Sequence, residues 1–85
     1  MNKLEFLHWL QGYENSLGRW KVNMLKEETG PYIMGCFKNS NNEYVVYEND
    51  EHNHNIVFTT TNQSEAYNEL RDMIIFEVRN NKGYI

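Results

Sequence analysis

One cysteine and one proline occur in 85 residues. The lone cysteine, Cys36, excludes an internal disulfide framework and any multi-cysteine zinc module. It points to a reducing, cytoplasmic setting. No apolar run exceeds the four residues Met73-Ile74-Ile75-Phe76, against the roughly 20 that a membrane helix needs. The first residues carry Lys3 but then Glu5, His8 and Gln11, so no secretory signal is expected. Cations are scarce: Arg71 alone stands between Lys38 and Arg79. Direct nucleic-acid binding is not expected, because phosphate contacts need clustered Lys and Arg.

What is present is a foldable chain. Apolar residues make up 40% and aromatics 14%, which disordered chains do not reach. The length suits one small domain, residues 1–85, without a second. A chain of this size buries about 60–65% of its unfolded surface, too little for a core and a deep catalytic cavity as well. Thirteen asparagines are present, and several fall where turns are needed, which asparagine favours.

Periodicity sets the elements. In residues 2–17, Phe6, Leu7, Leu10, Tyr13 and Leu17 share one helical face. Asn2 with Glu5 forms a capping-box pattern, and Gly18 is the expected stop. From Arg19 the period becomes two, with Trp20, Val22 and Met24 on one side. Turn residues at 27–31 lead to a second strand at 32–38, whose faces are Tyr32/Met34/Cys36 and Ile33/Gly35/Phe37. Turns at 39–42 and 50–54 bound a third strand at 43–49 and a fourth at 55–60. Asn62 with Glu65, and Thr61 as a competing cap, opens a last helix. Ala66, Tyr67, Leu70, Met73, Ile74 and Val78 share its inner face, and Ile75 and Phe76 lie off it. Residues 80–83 are the expected stop, with a fraying tail. Three short links in succession predict an α+β fold of order αββββα: a four-stranded antiparallel meander flanked by an N-terminal and a C-terminal helix. One sheet face carries both helices, and the other meets water or a partner. Trp20, Ile33 or Met34, Val46, Phe58, Leu10 and Leu70 are expected in one core.

No residue set reads as catalytic. Cys36 lies mid-strand, away from any helix start that would stabilise a thiolate. The serines occupy a helix end, a turn and a cap. No nucleophile elbow or phosphate loop is present. His52 and His54, beside Asp50 and Glu51, are a weak metal candidate, because a hairpin tip does not preorganise three ligands. The chain is therefore not expected to be an enzyme, to hold a cofactor or to need a metal to fold.

Charge is distributed unevenly. Residues 1–42 hold five cations and four acids, whereas residues 43–77 hold eight acids against Arg71, a balance of −7. An acidic surface steers a basic protein partner. Aromatics lie among these acids, and aromatics anchor interfaces. The candidate partner-binding residues are Tyr44, Tyr47, Glu48, Asp50, Glu51 and Phe58.

The runs Tyr32-Ile33-Met34-Gly35-Cys36-Phe37, Glu43-Tyr44-Val45-Val46-Tyr47-Glu48-Asn49-Asp50-Glu51, Val57-Phe58 and Ser64-Glu65-Ala66-Tyr67 resemble small immunity proteins of bacterial interbacterial toxin systems. The resemblance spans about residues 32–70. It rests on a strand with a central glycine, a Tyr-Val-Val-Tyr-Glu strand and turn, and a Glu-Ala-Tyr helix. The chain departs at His52-Asn53, where that pattern reads Arg-Gly; Asn53 is able to take the left-handed conformation that glycine supplies. The resemblance implies a protein that binds a toxin made in the same cell and blocks it. The expected partner is a basic toxin domain, and the chain itself is expected to be a monomer or homodimer. Two other functions fit the composition. One is a phage or mobile-element regulator that mimics DNA with its carboxylates, and the other is a dimerising accessory domain that pairs through its uncovered sheet face.

Overall fold

A computed structural model describes residues 1–80. The first helix, α1, spans Lys3–Gln11. Asn2 caps it reciprocally: Glu5 N donates to Asn2 Oδ1 at 2.8 Å, and Asn2 N donates to Glu5 Oε1 at 3.0 Å. The helix is shorter than its apolar stripe. At Gly12, a poor helix former, the bonds tighten to Gly12 N→Trp9 O and Tyr13 N→Leu10 O. A 3-10 turn at Glu14–Ser16 then carries Leu17 into the core. Gly18 follows in the left-handed conformation, φ 62°, which costs glycine nothing.

The strands are β1 Lys21–Asn23, β2 Ile33–Lys38, β3 Tyr44–Asn49 and β4 His54–Thr60, in sheet order β1-β2-β3-β4. The β2–β3 and β3–β4 pairs are antiparallel, as the short links require. The expected pure meander is corrected at the first pair. There β1 runs parallel to β2, with Lys21 beside Ile33 and Asn23 beside Gly35. Parallel neighbours cannot be joined by a hairpin, so residues 24–32 return across the sheet. Asn23 starts the return, its Oδ1 accepting from Leu25 N at 2.8 Å and Lys26 N at 3.2 Å. This local turn ends the strand after three residues. Tyr32, at φ 56°, completes the return.

The second helix, α2, spans Gln63–Asn80. Asn62 caps it through Glu65 N at 3.0 Å, while the Glu65 side chain accepts from Thr60 Oγ1 at 2.7 Å instead of closing the box. The expected stop at residues 80–83 lies outside the described residues beyond Asn80. Phe6, Leu10 and Leu17 meet Met34, Cys36, Val46, Ala66, Tyr67, Leu70 and Ile74 in one core, with Trp20, Val22, Met73, Val78 and Phe58 packed against it. Met34 faces this core, and Ile33 faces away.

The far face is not left to water. Ile33, Gly35, Val45, Tyr47 and Asn49 are all buried on it. Met24 still packs in the helix-side core, and residues 26–30 then lie across this far face, held from β3. Tyr47 Oη donates to Lys26 O at 3.0 Å and accepts from Glu28 N at 3.2 Å. Asn49 Nδ2 donates to Glu28 O at 2.7 Å and to Gly30 O at 2.9 Å. Buried backbone groups must find partners, and an irregular segment over a sheet cannot supply them itself. Two β3 side chains supply them here. The uncovered face expected from the sequence is thus closed over β2 and β3.

Candidate binding surface

The β3–β4 turn is built on Asp50. Its Oδ1 accepts from His52 N at 2.8 Å and Asn53 N at 2.7 Å, and Asp50 N donates to Asn53 O at 3.0 Å. The His52 and Asn53 amides hold its carboxyl below the usual carboxylate range. Asp50 shapes the surface from inside the turn. Asn53 does not adopt the left-handed conformation; Asn42, at φ 62° in the β2–β3 turn, does. Glu51 projects outward, and its Oε2 accepts from Tyr32 Oη at 3.4 Å. Arg19 stacks on the Tyr32 ring, 4.2 Å from its centre, and Trp20 meets that ring edge-on.

Glu48 is half-buried on the helix side of β3. Burial first, then the Asp50 charge, pushes its carboxyl above the usual range. Glu77 of α2 is raised in the same way, by burial and then by Glu48, with the Trp20 indole and Arg19 pulling the other way. Two carboxylates that resist ionisation weaken the fold when charged. For a carboxyl raised in the native state, the folded chain binds more protons than the unfolded one. Stability is therefore lost as pH rises from the unfolded value through the raised one. Glu48→Gln or Glu77→Gln is expected to raise Tm at pH 7, and the gain should vanish below about pH 4, under the ordinary glutamate value. Thermal melts at both pH values check this. An unchanged or lower Tm at pH 7 refutes it.

The six candidate residues do not form one surface. Glu48, Asp50 and Glu51 gather at the hairpin end. Tyr44 lies at the other end of β3, half-buried between Tyr67 and Lys38. Phe58, opposite Val46, packs on the core. Tyr47 is corrected: it is 0% exposed, touches Phe37 and His54, and is out of any partner's reach.

His52 and His54 turn to different partners. His52 is exposed beside Glu51. His54 Nε2 lies 2.7 Å from Glu27 Oε2, and its Nδ1 meets Asn49 Oδ1. Asn49 directs its nitrogen at two carbonyls, so its oxygen faces His54, and the ring meets an acceptor on each side. His54 thus pins the returning segment as Tyr47 and Asn49 do. No group of three His, Cys, Asp or Glu side chains among the described residues is placed to hold a metal. Burial pushes the Cys36 thiol up to about 11, far from a reactive thiolate.

Sequence reasoning missed Asn49, Glu27 and Glu28. An asparagine at a strand end reads as a turn residue, and nothing local shows that its side chain is sealed under another segment. Gly35 did carry a signal, since glycine inside a strand marks close backbone approach. Scans against family models, curated proteins and solved structures give no match to this chain.

Proposed function

We propose that this protein is an inhibitory binding protein of the immunity type, which neutralises a basic toxin domain by direct contact. The observation that supports it is the acidic balance of residues 43–77, displayed at the hairpin end by Glu51 and on the outer side of α2 by Glu65 and Asp72. Such a field steers a basic partner into contact. Desolvated pairs between Glu51 and partner cations then slow release. The aromatic contribution comes from Trp20 and Tyr32 beside Glu51, in place of Tyr47. No helix among the described residues is long and apolar enough to cross a membrane.

The test is to look for a toxin domain encoded beside this chain, whose absence overturns the reading, and to co-produce the two. The parent chain is expected to restore growth. A Glu51→Lys, Asp72→Lys double variant alters exposed side chains and should keep the fold. Its association with the purified toxin domain should slow by about tenfold or more at low salt, with the difference closing near 1 M salt, where screening acts over about 3 Å. Growth that stays arrested with the folded parent chain present overturns the reading.

A further inference from the structure

The two edges of the sheet are built differently. β1 is three residues long and carries exposed Lys21. Short strands and lysines are the usual protection against unwanted pairing. β4 is the longest strand, seven residues. It lies in the longest stretch without Asp, Glu, Lys or Arg in the chain, residues 52–64, and contains no proline. Residues His54, Asn55, Ile56 and Val57 are all exposed, with Ile56 at 52% and Val57 at 42%. Its one irregularity is a bulge at Val57, which leaves a regular run on either side. An open, neutral, apolar edge is a template for another strand.

An acidic stripe on α2 starts at the end of this edge strand. Glu65, Glu69, Asp72 and Phe76 follow one another at spacings of four, three and four on α2, so they share one flank. Tyr67, which meets Phe6 of α1, lies nine residues before Phe76, half a turn around the helix. The stripe therefore faces away from α1. Its first member touches β4 through the Thr60–Glu65 hydrogen bond. Phe76, 62% exposed, closes it. A second copy paired on β4 by a two-fold axis would bring acid stripe against acid stripe. A strand with lysine or arginine side chains would meet opposite charge.

We propose that β4 accepts an extended strand from a basic partner protein, with partner Lys and Arg side chains along Glu65, Glu69 and Asp72 and an apolar side chain over Phe76. The proposal deepens the inhibitory-binding reading and rests on it for the identity of the partner. A strand added at the usual spacing of about 4.8 Å puts its helix-side lysines next to the stripe. Backbone bonds supply affinity, and the stripe selects charge.

The probes are three heptapeptides added to the whole labelled chain and followed by amide NMR shifts. One alternates valine and lysine, one alternates valine and glutamate, and the third is the lysine peptide with every backbone amide methylated. The lysine peptide should shift the amides of His54–Thr60 and the α2 stripe. The glutamate peptide should bind about tenfold or more weakly, and the methylated one should leave β4 unshifted. Glu69→Lys with Asp72→Lys should abolish the preference for lysine. Methylated peptide that binds as well as its parent, β4 amides that do not move, or a preference that survives the double variant each overturns the proposal. So does a concentration-dependent dimer with β4 at its interface, which makes a second copy the occupant. The two readings fail separately. Growth rescue without peptide addition removes the edge site alone, and peptide addition without rescue removes the immunity function alone.

Discussion

Gly35→Ala is expected to cost about 4 kcal/mol or more, a loss reached by few single substitutions. The added Cβ would stand 2.0 Å from the carbonyl oxygen of Asn23, 3.0 Å from its carbon and 3.0 Å from Tyr47 Oη. Two of those atoms are backbone, so no side-chain rotation relieves the overlap. Relief requires moving β1 off β2 at the Asn23–Gly35 pair, where the chain turns back across the sheet. A domain of this length has a total stability of about 4–13 kcal/mol, so the variant should be largely or wholly unfolded. Gly12→Ala is the control: its nearest neighbour, Trp9 O, is at 3.5 Å, an ordinary contact. Its denaturation midpoint should lie near or above that of the parent, because alanine favours helix by about 1 kcal/mol. Urea denaturation of both proteins decides the matter. A Gly35→Ala midpoint equal to the parent's would mean that the return does not cross at Gly35.

Tyr47→Ala is expected to cost about 3–5 kcal/mol for the buried ring alone. Its hydroxyl adds to this, because Lys26 O and Glu28 N lose their partner under the returning segment. Tyr47→Phe separates the two contributions. It keeps the ring and leaves those groups unpaired, at about 1–3 kcal/mol. The Glu28 amide should then exchange with solvent faster, while amides of the α2 core stay protected. This replaces the effect that an exposed Tyr47 would have, a faster dissociation of the partner with the fold intact. If Tyr47→Ala leaves the denaturation midpoint at the parent's value and changes only partner dissociation, the burial of this side chain is refuted.

The local rules written in the residues determined much of this molecule. Period-two alternation assigned Met34 and Cys36 to one face of β2, and Ile33, Gly35 and Phe37 to the other. The 3.6-residue period placed Ala66, Tyr67, Leu70 and Ile74 inward on α2, and Asn2 and Asn62 marked helix starts. Each depends on residues a few positions apart. The acidic balance of residues 43–77 was equally legible, being a property of composition. The path of residues 24–32 was not. Gly30-Pro31 reads as a hairpin turn, and its own residues do not say whether the chain folds back beside β1 or crosses over β2. That choice was made by contacts 19 to 27 positions apart in sequence: Tyr47 to Lys26 and Glu28, Asn49 to Glu28 and Gly30, and His54 to Glu27. The crossing made β1 parallel and closed the far face. It also turned Tyr47 from an apparent surface aromatic into a buried strut. A side chain's exposure depends on what lies over it, and only the tertiary structure places residues 26–30 over β3.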